Sequence, residues 1–159
     1  MCITIRKAIP QDIAAIQKVA SISWHETYDG LIPETIQDKF LDNAYSDVSM
    51  QRRVEQTILF VAEVNEEIMG FANAFTNENH AELGAIYLYK DMHGKGVGTK
   101  LLTAILKEIK TCSELYVEVE KGNTVGESFY TARGFTVVKE YEDVLYGHPL
   151  QTKQMVLTL

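Results

Sequence analysis

The architecture turns on residues 81–109, AELGAIYLYKDMHGKGVGTKLLTAILKEI. An apolar stretch from Ala81 to Tyr89 runs into a loop holding Gly94, Gly96 and Gly98. From about Thr99 a helix follows, with Leu101, Leu102, Ile105, Leu106 and Ile109 on one stripe. A strand that turns through closely spaced glycines into a helix makes an anion site by geometry. Glycine lets backbone N–H groups converge, and the first helical turn leaves its own amides unpaired. A diphosphate is the natural guest, and Lys90, Lys95 and Lys100 bring positive charge near it.

Known phosphate loops of other kinds fit poorly. A P-loop needs four residues between its glycines and then Gly-Lys-Ser/Thr, which is absent. The dinucleotide fingerprint needs a glycine at the sixth position from Gly94, where this chain has Thr99. Glu118 does fall where a ribose-binding acid would follow that fingerprint, but half of the chain precedes the loop, against a dinucleotide fold. A glycine-rich strand-to-helix turn without ligand is the remaining alternative.

Working outward, Ile3 and Ile5 alternate as in a strand. Pro10 and Asp12 introduce a helix with Ile13, Ile16, Val19 and Ala20 on one face, ending near Trp24. Short helices are expected from Pro33 to Leu41 and from Asp47 to Gln56, the second capped by Asp47. Ile58 to Val64 and Ile68 to Thr76 form a hairpin around Asn65, Glu66 and Glu67, and a turn at Asn77 to His80 leads into the strand that opens the glycine loop. Downstream come a strand from Leu115 to Val119 and a helix from Thr124 to Arg133 closed by Gly134. In that helix Val125, Phe129 and Ala132 are expected to form the core stripe, with Tyr130 at its edge. Two last strands flank Gly147, His148 and Pro149, and could extend a sheet between two subunits.

The 159 residues are 46% hydrophobic, enough for a single domain spanning residues 1–159. A net charge of −7 is the wrong sign for a protein living on nucleic acid or anionic lipid. Residues 1–80 carry 6 basic and 12 acidic side chains against 9 and 10 in residues 81–159, so a cationic partner should meet the first half. Cys2 and Cys112 are far apart, and His25, His80 and His148 stand alone, so neither a disulfide framework nor a metal site is expected. Without a leader-like or membrane-spanning apolar run, the expected location is cytoplasmic.

The glycine loop in this setting resembles the coenzyme A segment of the GNAT superfamily of N-acetyltransferases, Gln/Arg-x-x-Gly-x-Gly/Ala, here His93-Gly94-Lys95-Gly96-Val97-Gly98. His93 departs from the pattern: a neutral imidazole keeps one donor, but a fixed positive charge is lost. Asn123, Phe129, Tyr130, Gly134 and Phe135 are similar to a second segment of that family, with Gly126 where alanine is usual. The resemblance implies a GNAT-like α/β fold, a mixed, mostly antiparallel central sheet flanked by helices. It also implies acetyl transfer from acetyl-CoA to a primary amine by direct attack in a ternary complex, with no metal.

By the same resemblance Ile86, Tyr87 and Leu88 pair with the carrier's pantetheine arm, and the Leu88 N–H polarises the thioester. His93 to Thr99, that is His93, Gly94, Lys95, Gly96, Val97, Gly98 and Thr99, hold its diphosphate, and Asn123 adds a side-chain contact. Tyr130 is the implied proton donor to the leaving thiolate. Glu82 is the expected base, placed by alternation on one face with Gly84, Ile86 and Leu88. Trp24 and Tyr28, with acids nearby, suit an amine cation such as a small polyamine or a peptide N-terminus. A coenzyme A binding or sensing module without catalysis is the alternative.

Overall fold

The computed structural model describes residues 1–159. Its strands are β1 (Ile3–Lys7), β2 (Ile58–Val64), β3 (Glu67–Asn77), β4 (His80–Leu88), β5 (Glu114–Glu120), β6 (Thr136–Leu145) and β7 (His148–Thr158). They form one sheet in the order β1-β2-β3-β4-β5-β7-β6, in which only the β4–β5 pair is parallel. The helices are α1 (Ile13–Tyr28), α2 (Glu34–Ala44), α3 (Asp47–Gln56), α4 (Val97–Glu108) and α5 (Thr124–Ala132). No helix is long and apolar enough to cross a membrane. The mixed, mostly antiparallel α/β sheet expected from the sequence is the one observed.

Each face of the sheet buries its own cluster. Leu101 and Ile105 of α4, with Ile109 just past its end, join Leu83, Leu115 and Val117 on one side. Ile16, Val19 and Trp24 of α1 and Met50 of α3 join Val61 and Phe71 on the other. Burying these side chains is the main force holding helices to sheet, roughly 1.5–3 kcal/mol for each large one.

Several local expectations are corrected. The first helix continues past Trp24 to Tyr28, because Ile16, Ala20, Trp24 and Tyr28 recur every fourth residue and all four are buried. Ser46 caps α3, its hydroxyl accepting from the Ser49 N–H, so Asp47 is the first helical residue instead of the cap. The β2–β3 turn is tighter than three residues, with Asn65 and Glu66 both at positive φ. The last turn is Tyr146 and Gly147, which leaves His148 and Pro149 in β7. In α5 the buried residue is Tyr130, whereas Val125 is 62% exposed.

One irregularity positions everything that follows. Across β3, Ala74 faces Leu83 and Asn73 faces Ala85, so Gly84 is an extra residue in β4. The bulge reverses the side-chain phase. Ala81 and Leu83 belong to the α4 side, as do Ile86 and Leu88, while Ala85 and Tyr87 pack toward α1. Pairing of β4 with β5 stops at Leu83 opposite Val117, at the bulge. Beyond that point the two strands separate.

On the first-half edge, Arg6 of β1 locks the start of α1. Its Nη1 and Nη2 donate to the Asp12 carboxylate at 2.7 and 3.0 Å, and its Nε donates to Glu63. Asp12, 5% exposed, also accepts from the Ile9 N–H at 2.8 Å. The Arg6 bond holds the Asp12 carboxyl below its usual range, against the opposing effect of burial. A depressed carboxyl gives stability above its unfolded value of about 3.9 and loses it as pH falls through the folded value. Asp12→Asn is expected to cost roughly 1.5–3 kcal/mol in denaturant unfolding at pH 7, the worth of a hydrogen bond to a charged group. The gap from wild type should shrink in acid, and equal stability at pH 7 would contradict the role given to this pair.

Candidate active site

A cavity of about 530 Å³ opens where β4 and β5 part. Leu83 to Leu88 form one wall, and Val117, Glu118 and Val119 form the other. The loop before α4 closes one end, α5 lines a side through Asn123, Phe129 and Tyr130, and α1 contributes Ser23, Glu26 and Tyr28.

The glycine loop is built as an anion cradle. Gly94 and Gly96 take φ of +74° and +81°, which only glycine adopts without strain, and Gly96 sits at the N-cap of α4. The first helical bond into α4 runs from the Lys100 N–H to the Gly96 carbonyl. Every backbone N–H from Gly94 through Thr99 therefore lacks a protein acceptor. Consecutive free amides at the positive end of a helix suit a diphosphate. Gly98 serves packing: a Cβ there would come within 2.9 Å of the Phe129 ring, so α4 and α5 approach closely only because it is absent.

The exposed edge of β4 is the second element. The Tyr89 N–H bonds to Met69 of β3, so alternation turns the Leu88 N–H and carbonyl toward the gap. Ser23 of α1 donates its hydroxyl to that carbonyl at 3.1 Å, leaving the N–H free to meet a ligand.

Three tyrosines border the gap from the protein side. Tyr130 is 7% exposed, its ring edge-on to Phe129 and Phe135 at 5.4 and 5.3 Å. Burial pushes its phenol above the ordinary value, and Tyr28 pushes it further. Burial likewise raises the phenols of Tyr28 and Tyr87. Asn123 caps α5, its Oδ1 accepting from the Gly126 N–H at 3.0 Å, and its amide opposes the rise of the Tyr28 phenol. All three phenols are neutral at physiological pH and can donate.

The structure gathers most of the expected site residues and leaves some outside. Ile86, Tyr87, Leu88, His93, Gly94, Gly96, Gly98, Thr99, Asn123, Tyr28 and Tyr130 line the cavity. Lys95 and Val97 are not on the wall: Val97's side chain is in the core and Lys95 is exposed to solvent. Trp24 is not on the wall. It stacks on Phe40 at 4.2 Å inside the α1 core cluster and is a packing anchor.

Glu82 is also off the wall, paired with Phe75 and Tyr116 one step short of the splay. The bulge at Gly84 puts it in phase with Ala85 and Tyr87, contrary to the expected face with Ile86 and Leu88. The carboxylates that do line the cavity are Glu118 and Glu26. Alternation along β5 carries the signal for the first, since Val117 and Val119 are buried and Glu118 points the other way. Arg133 and Ser23 also reach the wall, and no motif in the sequence marks either.

Glu118 belongs to a patch with Glu120, Tyr141 and Asp143, and no ion pair in the structure involves any of its carboxylates. Burial pushes the Glu120 carboxyl up, the Thr152 hydroxyl bonded to it at 2.9 Å opposes this, and Asp143 and Glu118 add to it. On the outer surface of α1 and α2, His25, Glu34 and Asp38 place a ligand atom each within 4.8 Å of one another. None of these three lines the cavity.

Residues 16–135 match the family model described as the acetyltransferase (GNAT) family. The chain belongs to that family of acetyltransferases. It is 31% identical over 145 residues to the spermidine N(1)-acetyltransferase of Thermoplasma acidophilum, covering 86% of this chain and 90% of that one. Among solved structures, the PaiA N-acetyltransferase of the same organism in complex with coenzyme A superposes with a TM-score of 0.87 at 26% identity over the full length of both chains. YncA from Salmonella typhimurium with acetyl-CoA shares the fold, with a TM-score of 0.72 at 22% identity over 100% of this chain and 95% of that one.

The cradle yields a direct expectation. In Gly96→Ala, the left-handed backbone costs roughly 1–2 kcal/mol and relaxing it turns the amides away. Calorimetric titration with coenzyme A is expected to show about tenfold weaker binding, with the variant still folded. Unaltered affinity would mean that this backbone does not grip the ligand.

Proposed function

We propose that the chain transfers the acetyl group of acetyl-CoA to a primary amine that is cationic in solution, a polyamine-like molecule or a peptide N-terminus. Attack is direct, with both substrates bound. The observation that carries this reading is the run of free amides from Gly94 to Thr99 opening into a gap bordered by the Leu88 N–H, Tyr130 and Glu118. The coenzyme A and acetyl-CoA complexes of the Thermoplasma and Salmonella proteins support the donor, and the name of the Thermoplasma relative supports a polyamine-like acceptor.

The gap suits an extended arm lying along the free edge of β4 as an added strand. When bound, acetyl-CoA supplies the acyl group and a thiolate leaving group. The Leu88 N–H lies where it can stabilise negative charge developing on a thioester oxygen. An alkyl ammonium of pKa about 10.4 needs roughly 4–5 kcal/mol to expose its lone pair at pH 7, so a base is required. Glu118, on the cavity wall, takes the role expected of Glu82. Glu26 faces the cavity from α1 and adds attraction for a cation. Tyr130, protonated because it is buried, donates a hydrogen bond to the departing thiolate. Full proton transfer from a phenol raised this way is uphill to a thiol of about 8.5, so its first service is charge stabilisation.

The unpaired carboxylates of Glu118, Glu120 and Asp143 give the acceptor side a negative field with no internal cation to satisfy it. A bound ammonium would lower the Glu120 carboxyl toward its ordinary range.

Steady-state kinetics on a panel of amines should therefore separate the carboxylates. Glu118→Gln is expected to lower kcat/KM by roughly 10²–10⁴, while Glu82→Gln leaves it near wild type. The reverse pattern would restore Glu82. For Tyr130→Phe, kcat is expected to fall about tenfold to a thousandfold with little change in coenzyme affinity, and an unchanged kcat would remove the phenol from the reaction. KM for a polyamine should fall as pH rises through the elevated Glu120 titration, because the carboxylate form attracts the cation. Coenzyme binding with no amine acetylated would leave the chain a carrier-binding module.

A further inference from the structure

Building on the donor site just proposed, the fixed positive charge missing from the first position of the glycine loop is found on another element. His93 stands where a cationic or amide side chain is usual, and Lys95 of the loop and Lys100 in the first turn of α4 are not on the cavity wall. The cationic side chains that reach the wall are Lys90 and Arg133.

Arg133, at the C-terminal end of α5, is held in place before any ligand arrives. Its Nε and Nη2 donate to the Thr99 hydroxyl at 3.0 and 2.6 Å, and its Nη1 donates to the Phe129 carbonyl at 3.0 Å. The guanidinium carbon lies 3.8 Å from the centroid of the Phe129 ring, which fixes its plane. No carboxylate pairs with it. A guanidinium has five N–H donors, so some remain unspent, and its charge is uncompensated. Thr99 is also the last residue of the free-amide run, so one residue supplies both the end of the cradle and the anchor for the cation.

We propose that Arg133 supplies the fixed cation for the carrier's phosphates, replacing at the end of α5 the charge that His93 does not provide. A planar fork suits phosphate oxygens, and one already oriented by Thr99 and Phe129 loses little side-chain freedom on binding. Coenzyme A offers the same chemistry at two places, its diphosphate and its ribose phosphate.

Calorimetric titration of the full chain with coenzyme A and with dephospho-coenzyme A, at low and high salt, tests this. Arg133→Met keeps an apolar stem against Phe129 and is expected to weaken coenzyme A binding about 10- to 100-fold at low salt, with a shallower salt dependence than wild type. Arg133→Lys should recover part of the loss. An equal loss for both ligands assigns the diphosphate, and a loss confined to coenzyme A assigns the ribose phosphate. His93→Ala in the same titration should weaken binding less than Arg133→Met.

A purely structural clamp would lower Tm while leaving affinity and salt dependence at wild-type values, and that result overturns the proposal. Should Arg133→Met fail to fold, Arg133→Gln, which can still bond to Thr99, carries the same expectations. Wild-type protein that binds neither ligand would defeat the donor reading itself, whereas wild-type binding matched by the variants would defeat only the role of Arg133.

Discussion

Strands β4 and β5 share a parallel ladder only from His80 and Glu114 to Leu83 and Val117, and then part company. A sheet interior normally leaves no backbone group unpaired, since an unmade hydrogen bond costs about 1–3 kcal/mol. Here the Leu88 N–H and the amides from Gly94 to Thr99 stand without partners around one gap. The rest of the molecule keeps that gap open. The bulge at Gly84 rotates β4, α1 and α4 clamp its two faces, and the absent Cβ at Gly98 lets α5 lean over the opening.

The gap is lined by groups of both signs. Its lining offers free amides, Lys90 and Arg133, which suit an anion. It also offers Glu118 and Glu26, continued along β5 by Glu120 and on β6 by Asp143, which suit a cation. In the proposed reaction the first set meets the carrier's phosphates and the second an ammonium acceptor. Tyr28, Tyr87 and Tyr130 also border it, and their burial keeps them neutral. The net charge of −7 conceals this division, because the cations that matter are few and local.

Much of this was legible in the chain itself. The glycine spacing marked the cradle, and the sequence of strands and helices gave the order later observed. Period-two reasoning failed at Glu82 because a one-residue bulge inverts the phase, and Gly84 alone did not reveal one. Helical spacing misjudged α5 since Val125 and Ala132 face solvent while the Tyr130 ring turns into the gap. Trp24 looked like a recognition residue by type, but stacking on Phe40 consumed its surface. Arg133 gave no signal by position, as its role depends on Thr99, far away in sequence and near only after folding.

The central claim is that these unpaired amides are the grip. Hydrogen exchange followed residue by residue, with and without coenzyme A, reads them directly. The account predicts that protection on binding is concentrated at Leu88 and from Gly94 to Thr99, with the cores under α1 and α4 little changed. Saturating coenzyme A that leaves those amides exchanging as in the free protein would contradict it.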